Sequence, residues 1–501
     1  MERRTLLAIA LSLLVLFSWS ALVSRFSAPL IKPSPTDNVI TVQPLTQKQE
    51  TAPELPPFSL FSFSREKFAV TFNEIKATIQ EVEFKDYGVY KFSLKHGFLL
   101  KDKTLVFKKD NNASSEQQVF IHQDTEKQII KRFIFHNSNY NIELEIEIKN
   151  LSHKPIKVNI PLVLGMLNFT GGQNQVRFQD VTLIGKDKPF HLNGRNDFII
   201  NGLKFVGLRD RYFCAVIEPE SGNYTGFIKK LNPQESEIGL SSQELVLAPE
   251  QQIGQKFHIY LGPQDLRIIN SIKPDWGAVI YYGMFDFISR LMLQLLDFLY
   301  RIVHNWGWAI IIFGIIIFIL SYPLSLRQMH SMKQMQALQP HIEELKKTYR
   351  DNPQKLNKEI MELYRQHKAN PFGGCLPLIV QMPIFFALYQ ALIRSVNLKG
   401  ANFLWIKDLS EPDRLFILPK HLPVNEINIL PILMAIGMFI QQKISMVNTT
   451  SESNEQQRLM MIIFPLMFGL IFYRMPSGLV LYWFINSTLM LLYQIHIRRI
   501  K

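Results

Sequence analysis

Cysteine is nearly absent. Cys214 and Cys375 are the only two among 501 residues, the first inside a strand-like YFCAV and the second at the mouth of an apolar run. That excludes a disulfide-stapled scaffold and any zinc site built on cysteine spacing, and no cysteine stands near the N-terminus where a lipoprotein would carry its lipid. The GxxxxGK[ST] phosphate cradle is also missing, so no nucleotide-driven cycle is expected. Six long uncharged runs contain neither Asp nor Glu, and His496 sits at a terminal turn of the last one. Ion-coupled transport usually needs titratable groups inside its spans, so a secondary transporter with an exported β domain is the alternative reading and not the first. Histidines 96, 122, 136, 153, 191 and 258 follow no ligand or acid–base spacing, and no cofactor, metal or catalytic residue is expected.

With 47% hydrophobic side chains, 19% charged ones and a mean hydropathy of +0.04, the chain is too apolar for an ordinary soluble protein and too charged for a wholly embedded one. It should therefore contain both kinds of region. The formal charge of +13 suits nucleic acid or the cytoplasmic loops of a membrane protein, and the location of the charge separates the two.

Arg3 and Arg4 precede the first uncharged run, Thr5 to Ser24, and Pro29 follows the best small-residue cleavage site, so residues 1–26 read as an uncleaved transmembrane anchor. Residues 27–60 are rich in proline, serine, threonine and glutamine and read as an extended tether. From 61 to 272 the pattern changes to strands. NIELEIEIKN at 141–150 alternates apolar and acidic residues, and similar runs recur at 68–72, 118–122, 156–164, 198–206, 212–218 and 256–260. Gly171-Gly172, Asn193-Gly194 and Asn201-Gly202 supply turns, so the segment is expected to form one all-β sandwich with its own core. Residues 273–306 read as an amphipathic helix lying in the membrane interface, with Ile288, Leu291, Leu295, Leu299 and Ile302 on its greasy face.

Residues 307–501 hold the other five runs: 308–326, 375–393, 427–442, 459–473 and 475–497. Between the first two of these, residues 327–370 are polar. They carry apolar stripes (Leu338, Ile342, Leu345, Tyr349, then Leu356, Ile360, Leu363) that two antiparallel helices would bury against each other. Sixteen Lys and Arg fall on the side of the termini and this hairpin and five on the other, which puts both termini in the cytoplasm and residues of about 25–305 outside. The positive charge is thereby explained without DNA binding. The fold expected is mixed: a polytopic α-helical membrane protein of six transmembrane helices carrying an exported all-β domain. The 459–473 run, about 22 Å as a helix, would thin a bilayer whose apolar core is about 30 Å and so ease the crossing of polar segments.

The stretch NPFGGCLPLIVQMPIF at 370–385 carries Pro377, Gln381 and Pro383 inside an uncharged span, where a freed carbonyl or an unpaired amide is costly. Gln381 in particular needs a partner. This stretch resembles the third transmembrane helix of the YidC family of membrane protein insertases, and NWGW (305–308), YPLS (322–325), LQP (338–340), ILP (429–431) and MPSGLVLYW (475–483) extend the resemblance in order along the chain. It implies a Gram-negative inner-membrane insertase and folding chaperone with a five-helix core, working alone or beside the Sec translocon. It also implies a periplasmic domain of the sugar-enzyme supersandwich type that is not used as an enzyme. A hydrated groove and slide would be lined by the residues matching Gly314, Phe318, Gln381, Met382, Phe385, Tyr482 and Trp483, although helix packing alone would account for Met382, Phe385, Tyr482 and Trp483. Nascent membrane proteins, Sec components, membrane lipid, and the ribosome or targeting machinery at the cytoplasmic hairpin and basic tail are the implied partners. One position departs from the family pattern: Phe318 stands where a groove arginine is usual. Arg394 and Arg474 are the nearest cations in sequence, and both are expected to be interfacial anchors.

Overall fold

The computed structural model describes residues 59–499 apart from 89, 103, 137–139, 160, 171–177, 186–187, 351, 368, 370–375, 418, 420–425 and 446–453. The expected anchor at 1–26, nearly all of the 27–60 tether and the Asn-Pro and Gly-Gly opening of the 370–385 stretch lie outside the described residues. What is described is a mixed fold of extensive antiparallel sheets and apolar helices, divided into one unit up to Tyr281 and another from Tyr282.

In the first unit, the strand Asn141–Asn150 shows how its sequence builds it. Ile142, Leu144, Ile146 and Ile148 are buried while the intervening glutamates stay half-exposed, as a period-two pattern dictates. It lies inside a nine-stranded antiparallel sheet, between Gln252–Pro263 and Lys127–Phe135. A four-stranded sheet starting at Leu60–Ser64 packs on it through aromatic rings, with Phe72 against Phe133 at 5.3 Å and Phe84 stacked on Phe213 at 4.1 Å. A five-stranded sheet contains Phe198–Asn201, Tyr224–Asn232, Glu235–Ser242, Pro161–Asn168 and Leu99–Leu100.

Two of the expected strands are each divided. The 198–206 run breaks at Asn201-Gly202, where Gly202 takes φ 66°, into Phe198–Asn201 in the five-stranded sheet and Phe205–Arg209 in the nine-stranded one. The 156–164 run gives Ile156–Val158, paired with Leu245–Leu247, and then Pro161–Asn168. Lys131 is fully buried in the core. Its ammonium donates to the carbonyl of Ala77 at 2.6 Å and to that of Phe98, both residues of positive φ, and burial holds its pKa well below the ordinary range.

Residues 274–281 differ from the helix expected there. Pro274–Val279 forms a 3-10 turn that belongs to the β unit, because Trp276 donates its indole N–H to buried Glu218 at 2.6 Å and Lys273 pairs with the same carboxylate at 2.8 Å.

Nine α-helices are found among the described residues: a short α1 (Leu266–Ile272) and, in the second unit, eight more. α2 (Asp286–Val303) buries Ser289, Met292, Leu296 and Leu299. Of the residues expected on its greasy face, Leu291 and Ile302 are exposed beside Phe287 and Phe298, whereas Leu299 is buried. The helix is apolar on two sides, and the side with small Ser289 docks because its hydroxyl can reach the Ala387 carbonyl at 2.9 Å. α3 (Trp306–Ala337) runs 32 residues, past the end of the 308–326 run and into the polar segment; Pro323 lies inside it. α4 (Gln339–Thr348) and α5 (Pro353–Gln366) then pair through Leu338 and Ile342 on one side and Ile360, Leu363 and Tyr364 on the other. Asn352 caps α5, its Oδ1 accepting from Lys355 N at 3.1 Å.

α6 (Leu376–Arg394), α7 (Ile429–Ser445), α8 (Asn454–Phe472) and α9 (Ser477–Arg499) complete the bundle. α9 packs on α3, α6 and α7, while α8 packs on α7. Among the described residues, Trp306–Arg327 and Ser477–His496 are long and apolar enough to cross a membrane, and Ile429–Ile444 and Met461–Phe472 are shorter apolar helices. α8 is longer than its expected run because the polar residues Asn454 to Arg458 extend it.

Candidate functional site

The residues singled out from the sequence gather around α9. Tyr482 and Trp483 are neighbours on a helix and so point about 100° apart. Gln381 and Phe385, four residues apart on α6, share one face. The two pairs meet. Gln381 donates its Nε2 to the Tyr482 hydroxyl at 3.0 Å, and the Phe385 ring stands edge-on to Trp483 at 5.2 Å. The amide thus has the partner that its depth requires. Tyr482 is 0% exposed whereas Gln381 is half-buried, so one end of this hydrogen bond is dry and the other can reach whatever fills the space beside α6.

Gly314 on α3 closes the far side of Tyr482. A methyl at this position would meet Ile485 at 3.4 Å and the Tyr482 ring at 3.7 Å, which is ordinary contact. Phe313 lies 5.9 Å from the Tyr482 ring. Trp483 looks the other way, into rings of α8: Phe472 at 5.4 Å and Phe468 at 5.7 Å. Met382 is half-buried and about 100° round α6 from Gln381.

Phe318 does not join the polar pair. It lies one turn past Gly314, and its ring faces Tyr493 at 6.4 Å, with Tyr322 on the same tyrosine at 5.1 Å. Seven expected residues therefore divide into a polar contact (Gly314, Gln381, Tyr482), an aromatic contact (Phe385, Trp483), Met382 between α6 faces, and Phe318 in a separate aromatic cluster. Sequence reasoning missed Phe313, Ile485, Tyr493, Phe468 and Phe472. Tyr493 could have been found, since 482, 485, 489 and 493 recur at helical spacing on one face of α9. The α8 rings could not, because no periodicity says which helix α9 meets. Of the two cations weighed, Arg474 is exposed as an anchor would be, but Arg394 is buried at 9% exposure, contrary to expectation.

Comparison with known proteins covers nearly the whole chain. The family described as YidC periplasmic domain matches residues 45–295, and that described as 60Kd inner membrane protein matches 298–501. A membrane protein insertase YidC from Pelobacter propionicus is 31% identical over 100% of this chain and 99% of its own. One from Syntrophobacter fumaroxidans is 33% identical over 74% of this chain and 68% of its own. Among solved structures, an active YidC insertase with its first transmembrane domain resolved aligns with 87% of this chain and 94% of its own, at 17% identity and a TM-score of 0.41. An identity of 31% along the full length sets the transporter alternative aside. The chain belongs to the YidC family of membrane protein insertases: it is a multi-pass inner-membrane protein that inserts and helps fold other membrane proteins, in the company of nascent chains, Sec machinery and lipid, and is neither a transporter nor an enzyme.

Proposed function

We propose that substrate segments enter the membrane along a groove between α3, α6 and α9, with Gly314, Phe318, Gln381, Met382, Phe385, Tyr482 and Trp483 as its lining. The observation that carries this reading is the Gln381–Tyr482 hydrogen bond, dry at the tyrosine and open at the amide. A polar atom held at that depth gives an entering backbone or polar side chain a partner in place of water. The aromatic face formed by Phe385 and Trp483 lets an apolar segment slide past without fixed geometry. After its polar first turn, α8 keeps only 14 apolar residues, Leu459 to Phe472, or about 21 Å. Thinning of the bilayer at that point lowers the barrier for the polar part of the substrate.

In this reading the core has five spans and an anchor makes six, with both termini and the α4–α5 hairpin in the cytoplasm and the β unit, of supersandwich type, in the periplasm. Residues 1–26 anchor the chain, 27–60 tether the 61–272 domain, α2 rests in the outer interface, and 307–501 form the insertase core. The hairpin and the basic tail receive ribosome-bound chains. With phenylalanine at 318, the groove attracts acidic segments less than an arginine would.

A photo-crosslinking residue at Gln381 or Phe318 tests the groove, with ribosome-bound chains of a small single-span protein presented to membranes. Adducts that appear as the span emerges and vanish after release support it. Adducts to lipid or to neighbouring spans alone would refute it.

A further inference from the structure

One loop ties off several helix ends at the same end of the bundle. Residues 395–428 join α6 to α7, and Asp413 within them is 3% exposed. Its Oδ2 accepts from the first two amides of α7, Ile429 N at 2.9 Å and Leu430 N at 3.0 Å, and from the Trp405 indole N–H at 3.3 Å. Fully buried Asn428 donates to the carbonyl of Tyr473, just past α8, at 2.8 Å, while its Oδ1 accepts from Arg414 N at 2.9 Å. At the start of α9 the amides of Ser477 and Gly478 donate to the carbonyls of Glu411 at 2.8 Å and Leu409 at 2.9 Å, and Ser477 Oγ donates to that of Asp408 at 3.1 Å. The loop also covers the beginning of α3, where Phe403 lies 5.8 Å from Trp308.

Helix N-termini normally leave amides free and draw water to them. Here the loop occupies them, and a buried carboxylate adds the charge that the end of α7 favours. The nearby Arg414 guanidinium is engaged by Glu426 at 2.8 Å and Glu411 at 3.5 Å. Ser477 is five residues from Tyr482, about 7.5 Å along α9, so this closure lies directly beyond the polar pair.

We propose that Asp413 is a positioning residue that seals the groove against water at this end, by fixing the first turn of α7 and the loop that ties off the ends of α8 and α9. The proposal rests on the groove reading above. In the full chain, with Cys214→Ser and Cys375→Ser as background, Met382→Cys places a thiol at a half-buried position next to Gln381. A membrane-impermeant maleimide is then applied to right-side-out or inverted vesicles. With Asp413 intact, the thiol reacts from the α4–α5 side and not from the Asp413 side. Asp413→Ala should raise labelling from the Asp413 side by roughly tenfold, the scale of losing a charge-assisted hydrogen bond. Asp413→Asn, which keeps an acceptor oxygen but not the charge, should fall between and serves alone if the alanine variant does not accumulate. Labelling no faster than the parent's in the variants would overturn the assignment while the groove stands. If the parent thiol reacted from neither side, the groove reading itself would fall, and this one with it.

Discussion

The Gln381–Tyr482 contact makes an unequal prediction about its two ends. Removing one member of a hydrogen-bonded pair costs the desolvation of the member left behind, about 1–3 kcal/mol when that member is buried. Gln381→Leu strands the Tyr482 hydroxyl in a site of 0% exposure, so the full penalty of about 1–3 kcal/mol applies. Tyr482→Phe strands an amide that is only half-buried, so water can replace its partner and the cost falls to about 0.5 kcal/mol. The double variant leaves neither group unpaired and should cost less than the sum, with a coupling energy of roughly 0.6–1.7 kcal/mol, the range for polar pairs between membrane helices. Reversible unfolding of the four proteins in bicelles gives all three numbers. Equal costs for the two single variants would refute the wet-and-dry assignment. Strict additivity would mean that the hydrogen bond contributes nothing.

Gly307→Ala puts a methyl carbon 2.0 Å from the Phe403 ring, so the loop must shift; a loss of about 1–3 kcal/mol is expected, seen as a lower melting temperature and partly recovered by Phe403→Ala. Phe318→Arg introduces a cation at an insertion cost of about 2.5–3.5 kcal/mol and should raise crosslinking of acidic substrate tails relative to neutral ones. An unchanged ratio would count against Phe318 lining the groove. Lys131 has a folded pKa below its unfolded value of 10.5, so between the two the unfolded chain binds the extra proton and stability rises with pH. The denaturant midpoint of the β unit, followed by trapping of the buried Cys214 thiol, should climb across that window, and Lys131→Met should flatten the climb.

The sequence was most informative where a local pattern settles a local outcome. The alternating residues of 141–150 could satisfy only a strand with one buried face, and the stripes ending at Leu363 only a helical hairpin. The amide of Gln381 announced that it needed a partner. Its identity was out of reach, because Tyr482 lies 101 residues away and nothing in the spacing of either helix says that they touch. The same limit hid Asp413, an ordinary loop aspartate until the fold brings Ile429 back to it. The end of an uncharged run is also not the end of a helix: the backbone of α3 continues for ten residues beyond Arg327.

That continuity has a mechanical consequence. At about 1.5 Å per residue, the 32 residues of α3 reach about 48 Å, some 18 Å more than the apolar thickness of a bilayer. The surplus is a stiff mast with the α4–α5 hairpin at its tip, and Gly314 and Phe318 sit on the same rod. A load placed on the hairpin is therefore delivered as torque to the helix that touches Tyr482.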